Sequence, residues 1–269
     1  MSNRVKVDGL ITSVPGQWKF DEEVARHFDE HVRKSIPLYE ELQSMVIEMS
    51  EWLITDGSVV YDIGSSTGET LNRLADKHAG KLDVRFVGVE TSEAMVKSAR
   101  AKCESPAVRF VQKNVMEIER FEGADLVLSL YTFQFLPLKH RSVLMKRIYD
   151  ALSPGGALIL AEKIQAESPR LEDMWMELHW DFKRRRGLTD EMILQKARSL
   201  RGVMFPLTLS RNVELLESAG FSDTEVFLKW HNFAGMIAFK RRADDETRDR
   251  PDRLIRRIST SRGRGPLKG

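Results

Sequence analysis

Val59-Val60-Tyr61-Asp62-Ile63-Gly64-Ser65-Ser66-Thr67-Gly68 decides the architecture. Its first half is a short β-branched run entered through Asp56-Gly57, the pattern of a buried parallel strand. Its second half is small and bracketed by glycines, and residues 69–78 then return to helical spacing. A strand, a tight turn and a helix in that order let the backbone approach a ligand and set a helix N-terminus beside it. The spacing is D-x-G-x-S-x-G, not the G-x-G-x-x-G that seats a pyrophosphate. An acidic residue two places before the first glycine suits a ligand bearing a cation, such as the amino group of a methionine moiety. The alternative is a strand-to-helix turn that holds nothing.

The alternation continues on both sides of this stretch. Upstream, residues 18–50 read as helical, with Leu38, Leu42, Met45, Val46 and Met49 on one face and Pro37 near a helix start. Downstream, strands are expected at 84–90, 108–111, 124–130 and 157–161. Ser92 opens the intervening helix, and a further helix, 140–152, stops at Ser153-Pro154-Gly155-Gly156. Strands alternating with helices imply a parallel, doubly wound sheet. Residues 165–205 interrupt the rhythm with a mostly helical insertion. Helix 213–219 then closes on Gly220. The last two strands, 224–230 and 234–240, are joined by His231-Asn232-Phe233 alone, too short for a crossover, so they form an antiparallel hairpin. The fold class is therefore α/β: a Rossmann-like, seven-stranded, mostly parallel sheet with a C-terminal antiparallel hairpin, helices on both faces and a helical lid.

A chain of 269 residues, 42% hydrophobic and 30% charged, fits one α/β domain with appendages. The expected division is an N-terminal helical cap (1–50), a ligand-binding domain (51–240) with its lid at about 165–210, and a basic tail (241–269). The tail carries ten Lys/Arg and five Asp/Glu, so the formal net charge of +2 conceals a body of −3 and a tail of +5. Its composition reads as disordered. The one cysteine, Cys103, excludes an intrachain disulfide and a multi-cysteine metal centre, and no metal is expected. It fits a reducing, cytoplasmic setting. The N-terminal stretch MSNRVKVDGLITSV lacks the apolar core of a secretory signal, and no apolar run is long enough to span a bilayer.

Ligands of open α/β sheets bind beyond the carboxyl ends of the strands. Asp62, Gly64, Ser65, Ser66 and Gly68 form the loop of such a site. Glu90, 26 residues after Gly64 at the end of the second strand, can accept both hydroxyls of a ribose, with Thr91 beside it. Asn114-Val115, past the third strand, offers an amide to an adenine edge or serves as a turn asparagine. At the end of the fourth strand Leu130 faces the cleft, Tyr131 and Gln134 are candidates for the reacting region, and Phe133 and Phe135 read as core. The basic run Lys183–Arg186 is either an anion contact or a solvated face. His179 has no metal partners in the sequence and is assigned no catalytic role.

The glycine loop, the acidic second strand, Leu152-Ser153-Pro154-Gly155-Gly156-Ala157, Ser218-Ala219-Gly220-Phe221 and the terminal hairpin resemble the S-adenosyl-L-methionine (SAM)-dependent methyltransferase superfamily. Stretches outside that common core resemble the carboxy-SAM synthases within it. These are Trp18-Lys19-Phe20-Asp21-Glu22, Ser35-Ile36-Pro37-Leu38-Tyr39, Gln134-Phe135-Leu136, Glu162-Lys163, His179-Trp180-Asp181-Phe182-Lys183 and Trp230-His231-Asn232-Phe233. The resemblance, from about Trp18 to Lys240, implies SAM or carboxy-SAM as the bound nucleotide, with Tyr39 lining its site. It also implies a homodimer and, in that family, conversion of SAM to carboxy-SAM with prephenate for modification of wobble uridine in tRNA. Ser65 stands where the family commonly has cysteine, Glu90 where it has aspartate and Asn114 where an acidic residue is usual; two further departures matter more. Leu130 stands where the family has asparagine. In Gln195-Lys196-Ala197-Arg198-Ser199, Ala197 stands where the family has the arginine that holds the added carboxylate. Arg198 takes that role only if the helix is turned by about 100°, and Lys196 is the other candidate to compensate.

The departure at Ala197 favours a SAM-dependent methyltransferase acting on a small-molecule acceptor. A synthase that uses Arg198 is the second reading. A nucleic-acid-associated SAM-binding protein, contacting phosphates weakly through Arg256-Arg257 and Arg262-Gly263-Arg264, is the third.

Overall fold

The computed structural model describes residues 4–242. The chain opens with a small antiparallel hairpin, β1 (Val5–Lys6) and β2 (Thr12–Ser13), which no periodicity in the leader announces. The expected helical stretch 18–50 is two helices, α1 (Glu22–Ser35) and α2 (Tyr39–Ser50). The break has a local cause. Pro37 forces Ile36 into extended backbone, and Leu38 then turns through φ +55° before α2 begins. Tyr39 is thereby the first residue of a helix aimed at the sheet.

There follow β3 (Val59–Ile63), α3 (Glu69–Lys77), β4 (Arg85–Glu90), α4 (Glu93–Lys102), β5 (Val108–Gln112), β6 (Ala124–Leu130), α5 (Leu138–Ala151) and β7 (Leu152–Lys163). Ser92 caps α4 as expected, accepting the Met95 N–H at 3.2 Å. The Ser153–Gly156 turn is absorbed into β7 rather than preceding it. Gly155 donates to the Lys240 carbonyl at 2.8 Å, and Lys240 donates to that of Gly156 at 2.9 Å. The insertion is two helices, α6 (Pro169–Arg185) and α7 (Asp190–Ser199), and the chain finishes with α8 (Leu209–Ala219), β8 (Asp223–Trp230) and β9 (Phe233–Phe239).

The sheet order is β5-β4-β3-β6-β7-β9-β8, parallel through β7, with β9 antiparallel to both its neighbours. The terminal hairpin and the seven strands match the expected class. Each face carries its own core. Val60, Phe86, Leu126 and Ile159 pack with Leu71 and Leu74 of α3 on one side. Val127, Leu158 and Leu160 pack with Leu144, Ile148 and Leu216 of α5 and α8 on the other. The chain runs outward from β3 to β4 and β5, then returns to place β6 on the opposite flank. That reversal opens a crevice at the carboxyl ends of β3 and β6, where a ligand site belongs. Among the described residues no helix is long and apolar enough to cross a membrane. The expected tail lies, past Arg242, outside the described residues.

Candidate active site

A cavity of about 350 Å³ fills that crevice. Its floor is the carboxyl edge of the sheet, and its roof is made by α1, α2, α6, α7 and the N-terminal segment. The roof is tied down. Thr67 Oγ1 donates to Asp29 of α1 at 2.6 Å, and Arg33 donates to Glu69 at 2.8 Å, so α1 is fastened to the glycine loop. Gly16 and Trp18 donate backbone N–H groups to the carbonyls of Arg198 and Ser199, fastening the N-terminal segment to the end of α7.

The loop needs its glycines for different reasons. Gly64 has φ +76°, and a Cβ there would lie 2.1 Å from Thr132 Oγ1, so the turn runs directly against the end of β6. Gly68, at φ +81°, caps α3 and packs against the Phe110 ring; it shapes the loop from behind and does not line the cavity. Between them Ser65, Ser66 and Thr67 face the cavity. Ser65 Oγ is buried without a hydrogen-bond partner among the described residues.

Asp62 is 3% exposed and lines the cavity, yet no hydrogen bond or ion pair to its carboxylate exists among the described residues. Burial, with the charge of Glu90 adding to it, pushes its pKa up to about 7. A buried carboxylate left without a partner favours a cation in the space it faces. Glu90 is better supported. Its two oxygens accept the N–H of Ser66 at 3.1 Å and of Ser92 at 2.8 Å, so it ties the glycine loop to the start of α4 while bordering the cavity. Burial raises its pKa as well, against those hydrogen bonds. An orphaned hydroxyl and an unpaired carboxylate are the donor and acceptor groups that an adenosyl ligand with a cationic amino group would satisfy.

The other predicted residues separate cleanly. Tyr39, Thr91, Val115 and Leu130 line the cavity. So does Asn114, but its Oδ1 already accepts the Met116 N–H at 2.9 Å, the turn role that was its alternative reading. Tyr131 is held at φ +63° between Tyr39 and Phe233, with ring centroids 6.4 and 6.1 Å away. Gln134 borders the cavity, but its amide is consumed by the backbone. It donates to the Tyr131 carbonyl at 3.2 Å and accepts the Lys163 N–H at 2.8 Å, so it is a brace for the loop after β6. Phe133 is core, as expected, whereas Phe135 lines the cavity and packs on Phe20. Arg198 is exposed and outside the cavity; α7 turns Lys196 inward in its place. His179, buried, bonds the Ser35 carbonyl at 2.9 Å and is structural.

The sequence reading touched one side of the site only in part: it offered Lys196 as a stand-in for the family's arginine and the run from Lys183 as an anion contact, and gave Lys163 no role. Lys163 at the end of β7, Lys183 on α6 and Lys196 on α7 all line the cavity, the latter two each 8% exposed. Of the run Lys183–Arg186, only Lys183 is buried; the three arginines are exposed. Burial lowers all three pKa values, that of Lys183 to about 7; repulsion by Lys163 adds to it at Lys183, and repulsion by Lys183 adds to it at Lys196. Signals existed: Lys163 ends a strand just as Glu90 does, and Lys196 falls in a stripe with Ile193 and Leu200. Trp18 and His31 complete this side. The two rings stack at 5.7 Å, and His31 Nδ1 meets the Asp8 carboxylate at 2.6 Å. Burial, then the Lys196 charge, hold His31 down at about 4, so it is a neutral ring donating to Asp8. Glu162, with its pKa raised to about 8 by burial, accepts the Phe133 N–H at 3.0 Å and anchors the same loop as Gln134.

Residues 60–156 match the methyltransferase domain family. The carboxy-S-adenosyl-L-methionine synthase of Staphylococcus epidermidis is 36% identical over 227 residues, covering 84% of this chain and 98% of the relative. Those of Nautilia profundicola and Methylococcus capsulatus are 37% and 38% identical, over 83% and 82% of this chain and 95% and 93% of theirs. The chain belongs to the carboxy-SAM synthase family. Solved structures share the fold at lower identity. Human N-acetylserotonin methyltransferase in complex with SAM superposes with a TM-score of 0.55 at 15% identity, over 82% of this chain and 55% of that one. The SAM-dependent methyltransferase SibL gives 0.56 at 16%, over 82% and 59%. Family and fold together make this member of the carboxy-SAM synthase family a SAM-dependent transferase.

Proposed function

We propose that this chain is a carboxy-SAM synthase: prephenate loses carbon dioxide and its ring hydroxyl to become phenylpyruvate, the hydroxide takes a proton from the SAM methyl group as water, and the methyl carbon bonds the carbon dioxide. The observation that carries the reading is the division of charge within one cavity. Asp62 and Glu90 stand at the ends of β3 and β4; Lys163, Lys183 and Lys196 stand at the end of β7 and on the lid. The strands bearing Asp62 and Lys163 are separated by β6, hence lie about 10 Å apart. SAM carries a net positive charge, which suits the first side and is repelled by the second. An anionic co-substrate removes that conflict; a neutral acceptor does not. SAM supplies an activated methyl group when bound. Asp62 would take its amino group, Glu90 its ribose hydroxyls, and Tyr39 and Leu130 would border it. The roof covers the cavity in part, and proximity of the two substrates supplies much of the rate.

The reading includes a cytoplasmic homodimer. The exposed row Leu171, Met174 and Leu178 along α6 supports a self-association surface. It also keeps the division into cap, SAM-binding domain with lid, and basic tail. A methyltransferase with a small-molecule acceptor is the second reading, favoured by Ala197, which removes the guanidinium fork of the family, and by Arg198 standing outside the cavity. Incubating the purified protein with SAM and prephenate and following carboxy-SAM by mass spectrometry tests the proposal. Carboxy-SAM as product or as copurified nucleotide supports it. SAM left intact with prephenate, alongside copurified S-adenosylhomocysteine, overturns it in favour of methyl transfer.

A further inference from the structure

Three ammonium groups share one wall of the cavity, and none has a hydrogen bond or ion pair among the described residues. All three line the same cavity, and Lys183 lies within electrostatic range of both Lys163 and Lys196. The carboxylates within electrostatic range, Glu172 for Lys163 and Asp8 for Lys196, lie beyond ion-pair distance, and the nearby His179 and His31 are neutral and otherwise bonded. The Trp18 ring lies under Lys196, a cation–π contact that offers the ammonium a partial partner. Lysines gathered in this way are costly to keep buried, and packing alone does not require them. Methionine would fill the same space on α6 or α7 without a charge. What several unpartnered ammonium groups facing a cavity do chemically is take up an anion with more than one charge.

We propose that Lys163, Lys183 and Lys196 are the seat of a small dicarboxylate co-substrate, with Lys183 shared between its two carboxylates, and that this seat suffices without the arginine absent at Ala197. The inference rests on the reading of the cavity as a SAM site. It differs from an arginine fork in kind. Ammonium groups are point charges without the planar geometry that fixes a carboxylate bidentately, so the seat accepts dicarboxylates of differing shape. It also couples the two ligands. A dianion seated on the lysines shields them from the sulfonium of SAM, so each ligand tightens the other, and by linkage the factor is the same in both directions. S-adenosylhomocysteine, whose sulfur is uncharged, gains less.

Calorimetric titration of the full-length protein tests this, with malonate as an unreactive probe and prephenate as the proposed substrate. Malonate is expected to bind the SAM-loaded protein more tightly than the S-adenosylhomocysteine-loaded one. Lys183→Met and Lys196→Met should each weaken malonate at least about tenfold while leaving S-adenosylhomocysteine affinity within about threefold, the sign that the fold and nucleotide side are intact. Lys183→Met should also raise the melting temperature of the empty protein, because a buried, unpartnered charge is removed, whereas Lys183→Arg should retain malonate binding. Lysine-dependent binding of malonate and prephenate with no carboxy-SAM formed would leave the seat standing and sink the synthase reading. Carboxy-SAM formed by Lys183→Met with an unchanged KM for prephenate would do the reverse. Failure of both anions to bind the wild-type protein, or binding indifferent to Lys183 and Lys196, overturns the seat.

Discussion

The two sides of the cavity are built by different means. The side at β3 and β4 is made of backbone: a turn with two glycines at positive φ, its N–H groups and carbonyls fixed by the sheet, with Asp62 and Glu90 placed by being strand ends. The side at β7, α6 and α7 is made of side chains from three consecutive elements, brought together where α6 and α7 pack over the edge of the sheet. The difference teaches where each side tolerates change. The backbone side has almost no freedom at its glycines. The lysine side can lose a charge and keep its fold, because a helix accepts methionine wherever it accepts lysine.

The largest effect expected is therefore at Gly64. Gly64→Ala places a methyl group at φ +76° and within 2.1 Å of Thr132 Oγ1. Left-handed backbone costs about 1–2 kcal/mol for a non-glycine residue and overpacking about 1–3 more. Denaturant unfolding should show a loss of about 2–5 kcal/mol, and nucleotide binding should fall with it. A variant of wild-type stability would mean that the turn relaxes freely and that the contrast between the two sides is wrong.

Asp62→Asn should come next, and it separates charge from shape. The loop keeps its conformation, because the Asp62 side chain makes no bond that supports it among the described residues. Affinity for S-adenosylhomocysteine should drop roughly ten- to a hundredfold by calorimetry, the worth of a hydrogen bond to a charged group. The empty protein should melt at a higher temperature, since a buried unpaired carboxylate is gone. Unchanged affinity would show that Asp62 is only the end of a strand.

The same group sets a pH dependence. Burial raises the Asp62 pKa from 3.8 to about 7 in the empty protein. A folded-state pKa above the unfolded one contributes stability below the unfolded value and loses it as pH rises through the folded value. Stability of the empty protein attributable to Asp62 should thus decline between about pH 4 and pH 7. A cationic amino group facing Asp62 favours the ionised form, so nucleotide affinity should rise with pH over the upper part of that window, accompanied by proton release. In Asp62→Asn both slopes should flatten; persistence of either would assign it to another group.

That contrast also explains what was legible. A strand followed by a glycine-bracketed turn is a local pattern, and the carboxyl-end rule located Glu90, Thr91 and Leu130 from neighbouring residues alone. The hairpin followed from one loop length. The two-helix form of 18–50 turned on Pro37, which was read as a start without the corresponding stop at Ile36. The short hairpin β1–β2 has too few residues for a period. Gln134 does border the cleft, as read from its place at a strand end, but its two bonds to the backbone of Tyr131 and Lys163 left no local signal in the sequence. Lys183 was hidden inside Lys183-Arg184-Arg185-Arg186, where charge dominates the pattern. Only the docking of α6 on Phe233, through His179, shows which of the four turns inward.

Arg198 carries the smallest expected effect and the sharpest consequence for the comparison. On α7 its side chain is exposed and outside the cavity, while its carbonyl accepts from Gly16 at 2.9 Å, a bond that any residue at this position makes. Arg198→Ala should change stability by no more than about 0.5 kcal/mol, as for ordinary surface substitutions. Binding of malonate, SAM and carboxy-SAM should stay within about twofold of wild type. The variant is informative because α7 could not turn Arg198 inward without turning Lys196 out; at about 100° per residue the two lie some 200° apart on the helix. A large loss of carboxy-SAM binding in Arg198→Ala, with Lys196→Met silent, would therefore mean that α7 is rotated in the working enzyme, or that Arg198 reaches a neighbouring copy's cavity. Analytical ultracentrifugation beside the titration separates these two outcomes, since only the second requires a dimer. Silence of Arg198 with a response from Lys196 leaves Lys196 on the inward face of α7, holding the anion without the family's arginine.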